Sequence, residues 1–77
     1  MAHPIHDRRY QLVASELAAI RKERGLLQID VAERLRRPQA YVSKVESGVR
    51  RVDLIELIDF LAALEMEPKA FLDRILE

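Results

Sequence analysis

Two short segments with helical apolar spacing, residues 28–35 and 38–47, are joined with almost no room between them. Helices shorter than about 12–15 residues are marginal in water on their own. Each segment must therefore bury its apolar side chains against the other or against a shared core. Val31, Ala32 and Leu35 supply the anchors of the first, and Val42 and Val45 those of the second. Ala32 is small where the second segment has to pass close. The linker, Arg36-Arg37-Pro38, is as short as a steep crossing of two helices requires. Pro38 suits a first turn, where its missing N–H costs nothing, and Ser47-Gly48 is a stop. A short polar helix pinned by Val42 and Val45 turns Gln39, Ala40, Tyr41, Ser43 and Lys44 outward.

The rest of the chain also reads as helix. Asp7 can cap a first helix in which Tyr10, Val13, Leu17 and Ile20 recur at helical spacing, and Gly25 fits its end. Asp53 followed by Glu56 resembles a capping box for a fourth helix reaching about Leu64. Pro68 opens a fifth, to about Leu76. No stretch alternates apolar and polar residues, so the expected class is all-α, five short helices and no strand. Residues 1–6 are expected to form a disordered arm, with the folded domain over 7–77. His3 and His6 fall in the arm and make no metal site with their neighbours.

The chain has 77 residues, 49% of them hydrophobic, and no cysteine. One small domain without disulfides or thiolate metal ligation follows. No apolar run approaches the roughly 20 residues needed to span a membrane, and the start, MAHPIHDRRY, lacks the apolar core of a signal peptide. A cytoplasmic protein that binds no cofactor is expected. Net charge is zero, but it is unevenly placed. Positions 21–51 hold nine Lys/Arg against four acids, and positions 53–77 hold two against seven. That is +5 followed by −5, which suits an anion-facing middle and an end turned away from it; two solvated helix surfaces of opposite sign would give the same count.

The fourth helix is more apolar than one core-facing stripe requires. Leu54, Leu57, Ile58, Leu61 and Leu64 form a stripe, with Ile55, Phe60 and Ala62 beside it. The fifth adds Phe71, Leu72, Ile75 and Leu76. A homodimer would cover the surplus, with Ile55, Phe60, Leu64, Phe71, Leu72 and Ile75 as its expected interface; a monomer with the last helix folded over the fourth is the alternative.

Taken in order, "RKERGLLQ", "VAERL", "RPQAYVSKVESG" and "LIELIDFLAALEMEP" resemble the phage-repressor (Cro, or XRE) family of helix-turn-helix DNA-binding domains. The resemblance runs from about Tyr10 to Leu76. Arg36 stands where the family's turn usually has glycine, and Leu27 where a polar residue is usual. The resemblance implies a compact, lambda-repressor-like domain with its helix-turn-helix at about 28–47. The third helix would lie in the major groove of double-stranded DNA while the second crosses the backbone. Base contacts are then expected from Gln39, Ala40, Tyr41, Ser43 and Lys44, the glutamine amide matching adenine and the lysine guanine. Phosphate contacts are expected from Gln28, Arg37, Ser47, Arg50 and Arg51. The resemblance further implies a salt bridge from Arg21 to Glu46.

The function so implied is a sequence-specific transcriptional regulator binding a palindromic operator as a dimer. The alternative is an antitoxin-like interaction module whose acidic fourth and fifth helices grip a protein partner. An enzyme is disfavoured. The sequence has no paired His/Asp constellation and no glycine-rich phosphate loop, and too little chain to enclose a substrate.

Overall fold

The computed structural model describes residues 7–76. The arm expected over 1–6, with His3 and His6, lies outside the described residues, as does residue 77. Five helices follow one another: α1 (Arg8–Glu23), α2 (Gln28–Leu35), α3 (Gln39–Glu46), α4 (Leu54–Ala63) and α5 (Pro68–Ile75). Among the described residues there is no strand.

Local chemistry sets the starts. The Asp7 carboxylate accepts from the Arg9 N–H at 2.8 Å and opens α1. Asp53 and Glu56 make the reciprocal box at α4: the Asp53 side chain accepts from the Glu56 N–H at 2.7 Å, and the Glu56 side chain accepts from the Asp53 N–H at 2.9 Å. Leu27 has no side-chain acceptor to cap α2, but Asp30 reaches back to accept from the Leu27 N–H at 2.8 Å. Pro38 is the residue just before α3 rather than its first helical residue.

Four helix ends share one solution. A residue with positive φ turns the chain, at Gly25, Arg36, Gly48 and Glu65. At each, the following N–H returns to a carbonyl in the last turn of the helix, as in Leu26 to Arg21 and Arg37 to Ala32, both at 3.0 Å. At Gly48 the absence of a side chain has a second use, because a Cβ there would collide with the Gln11 amide. That amide donates to the Gly48 carbonyl at 3.4 Å. Arg36, at φ 56°, carries the left-handed turn without glycine.

The core draws on every helix. Leu17 and Ile20, Val31 and Ala32, Val42 and Val45, Phe60, Leu61 and Leu64, and Phe71 are all buried. Arginines close the C-terminal end of α4, which has no basic residue of its own in its last turn. Arg24 donates to the Leu64 carbonyl at 3.1 Å, and Arg34 to the Ala63 carbonyl at 2.6 Å. Arg74 braces α5 against α1 through Glu16 and Glu23.

The expected dimer face needs correcting. Phe60, Leu64 and Phe71 are 0% exposed within the single chain, so they have no surface to give a partner. Ile75 is partly buried against the same core. The α4 stripe is likewise rotated. Leu57, Phe60, Leu61 and Leu64 face inward, whereas Leu54, Ile55 and Ile58 remain exposed at 70%, 65% and 43%. Of the expected interface residues, Ile55 and Leu72 are surface side chains.

The left-handed Arg36 makes a direct prediction. Arg36→Gly removes the Cβ clash at an unchanged backbone and raises stability by about 1 kcal/mol. For a chain this small, that is an increase in Tm of about 4–8 °C. An unchanged or lower Tm would show that the arginine is not strained there.

Candidate nucleic-acid interface

Helix α3 has the two faces its sequence requires. Val42 and Val45 are 0% exposed, while Gln39, Ala40, Ser43, Lys44 and Ser47 all lie on the surface. These five recur at i, i+1, i+4, i+5 and i+8, one continuous side of a helix. Tyr41 stands at its edge, partly packed on the core.

A buried ion pair fixes how this helix sits. Arg21, near the end of α1, donates to Glu46 through Nε at 2.6 Å and Nη2 at 3.1 Å. The two side chains are only 11% and 5% exposed. The third arm of the guanidinium donates to the Leu26 carbonyl at 2.8 Å. Gln28 at the start of α2 donates to the same Glu46 carboxylate at 3.0 Å. The Gln28 carbonyl oxygen then faces the Gln39 amide at 3.5 Å. A polar relay thus runs from α1 through Glu46 and Gln28 to the first residue of α3. Gln28, expected to bind phosphate, commits one amide N–H and its side-chain oxygen to this relay.

The opposite edge of α3 is basic. Arg37 and Arg50 both lie over the Tyr41 ring, 4.5 and 4.7 Å from its centroid. Arg51 lies 5.1 Å over the Tyr10 ring. The Tyr10 hydroxyl donates to the Arg50 carbonyl at 2.8 Å, tying this loop to α1. Ser47 donates to the Lys44 carbonyl at 3.2 Å. The expected phosphate residues therefore divide: Gln28 flanks one side of the exposed face, and Arg37 and Arg50 the other. Burial raises the pKa of Tyr41, and the Glu56 carboxylate adds to the shift.

The spacing of Asp53 and Glu56 marks Glu56 only as a cap. Its carboxylate also accepts from Arg50 at 3.0 Å and stands 3.6 Å from Arg37. Arg50 and then the Asp53 N–H hold that carboxyl below the usual carboxylate range. The group borders an open cleft of about 400 Å³ between α2, α3 and α4. The cap spacing signalled Glu56; its arginine partners depend on how α4 meets α3.

Among the described residues, no group of three or more His, Asp or Glu is placed to hold a metal ion. No described helix is long and apolar enough to cross a membrane.

Glu46→Ala leaves Arg21 nearly buried without its countercharge and lowers the unfolding free energy by about 3–5 kcal/mol in chemical denaturation. A loss below about 1 kcal/mol would place the pair among ordinary surface bridges.

Comparison with known proteins accords with this geometry. No curated protein matches the chain. Among solved structures, an XRE-family like protein from Pseudomonas syringae pv. tomato str. DC3000 is 41% identical, with a TM-score of 0.84 over 92% of this chain and 87% of that one. The restriction–modification controller protein C.AhdI from Aeromonas hydrophila is 28% identical, with a TM-score of 0.72 over 82% and 94% of the two chains. The controller protein C.Esp1396I, solved as a tetramer in complex with its natural 35 base-pair operator, shares the fold at 22% identity. Its TM-score is 0.87 over 92% of this chain and 93% of that one. The helix-turn-helix family model matches residues 17–71. With its five helices, its α2–α3 crossing and these likenesses, the chain belongs to the XRE-type helix-turn-helix family.

Proposed function

We propose that the protein is a sequence-specific DNA-binding transcriptional regulator that binds a palindromic operator as a dimer. The observation that carries this reading is the outward face of α3. Gln39, Ala40, Ser43 and Lys44 are exposed together on a helix held from behind by Val42 and Val45 and at its edge by Glu46. These side chains supply what a major groove is read with: an amide for adenine, a methyl for thymine and an ammonium for guanine. Arg37, Arg50 and Arg51 sit beside them, where phosphate contacts would set register and affinity. Controller proteins of the same fold, one of them solved on its operator, support the same role.

A dimer would use the exposed part of α4, Leu54, Ile55 and Ile58. Two copies would then present two α3 helices to successive major grooves, about 34 Å apart. The interaction-module reading draws on the same α4 surface. It leaves the composition of the α3 face without a purpose, and for that reason we place it second.

Two substitutions separate base reading from backbone binding. Gln39→Ala weakens binding to the cognate operator by about 1–3 kcal/mol and leaves binding to mixed-sequence duplex unchanged. Arg50→Ala weakens both and flattens the salt slope by about one unit. Fluorescence anisotropy across a salt series measures all four quantities. Full operator affinity in both variants would remove α3 from the groove.

A further inference from the structure

We propose that Glu56 is a built-in phosphate mimic: its carboxylate occupies the two arginines beside the α3 face and thereby sets how tightly the protein holds any DNA. The inference rests on the DNA-binding reading above and goes beyond it by assigning a residue that opposes binding.

Arg37 and Arg50 are the cations nearest Tyr41, and both converge on one acid. Arg50 meets Glu56 as a fork, Nη1 to Oε1 at 3.3 Å and Nη2 to Oε2 at 3.0 Å. A phosphate diester presents its two free oxygens to an arginine in the same two-point fashion. The acid is itself held in place, because Oε1 also accepts from the Asp53 N–H at the start of α4. Glu56 is 19% exposed, whereas Arg37 and Arg50 are 45% and 39% exposed. The anion is thus fixed to the fold, and the cations are its more exposed partners. To reach a phosphate they must leave Glu56.

The remaining basic charge is also smaller than its count suggests. Arg21, Arg24 and Arg34 are spent on Glu46 and on the end of α4. Arg37 and Arg50 therefore make up a large share of what is left for an anion, and one carboxylate offsets half of their charge.

Phosphate contacts carry no sequence information. A competitor for them must weaken all DNA alike, and this separates it from a residue that acts on base reading through Tyr41. Glu56→Gln isolates the effect, because glutamine is accepted at the same position of a capping box and keeps the shape. Binding of the variant and the unaltered protein is measured over a salt series with a mixed-sequence duplex and with a duplex selected from a random pool. The variant gains up to about five-fold in affinity for both duplexes at low salt, and its salt slope steepens by about one unit. Unaltered or weaker binding of the mixed-sequence duplex overturns the proposal, as does a gain confined to the selected duplex.

If the unaltered protein binds neither duplex, the DNA-binding reading falls and this inference with it. If it binds both and the variant matches it, only this inference falls. A measurement on the unaltered chain guards against a variant that fails to fold. The Glu56 Cδ resonance should move on addition of mixed-sequence duplex as the arginines depart. A resonance that stays in place while DNA binds overturns the proposal.

Discussion

The buried contact between Arg21 and Glu46 sets the geometry on which the rest of the protein depends. A buried pair of this kind contributes little net stability over an apolar equivalent, since desolvating both charges offsets their attraction. Its value lies in direction. A guanidinium fork meets a carboxylate in one plane, so the pair fixes α3 against α1 in rotation as well as in distance. Val42 and Val45 alone would hold α3 down yet allow it to roll. The same carboxylate holds Gln28, and Gln28 faces Gln39. The orientation of the first outward residue is thereby coupled to a charge pair two turns further along the same edge of the helix.

Arginine is put to several uses among the described residues. Arg21 orients α3. Arg24 and Arg34 close the carbonyl end of α4, and Arg74 ties α5 to α1. Arg37 and Arg50 flank the exposed face and share Glu56. A net charge of zero therefore does not describe the surface presented to an anion. Nor does a count over residues 21–51, because part of that charge is consumed inside the fold. Electrostatic attraction here is local, and an acid six residues beyond Arg50 tunes it.

The helix ends were legible in the sequence because their causes are local. Asp7, Pro38, Asp53 and Pro68 mark starts, and Gly25 and Gly48 mark turns, through chemistry confined to a few residues. Arg36 was legible as a departure, and it does adopt the left-handed conformation. Glu65, which does the same, carried no signal, since glutamate is no turn former. The inward face of α4 was misread for a physical reason. With apolar residues on most of its circumference, periodicity does not single out a face. Packing against the other helices places Phe60 in the core and leaves Leu54 and Ile58 outside. Pairs far apart in sequence were the least legible. Arg21 and Glu46 were matched only through the family resemblance, and the link from Glu56 to Arg37 and Arg50 arises from the meeting of α3 with α4.

Selecting bound duplexes from a random pool asks whether α3 reads DNA bases as one half of a symmetric pair. The expected outcome is an inverted repeat whose half-sites lie about one helical turn apart, roughly 10 base pairs from centre to centre. Recovery of duplexes with no common sequence, or of a single unrepeated site, would contradict it.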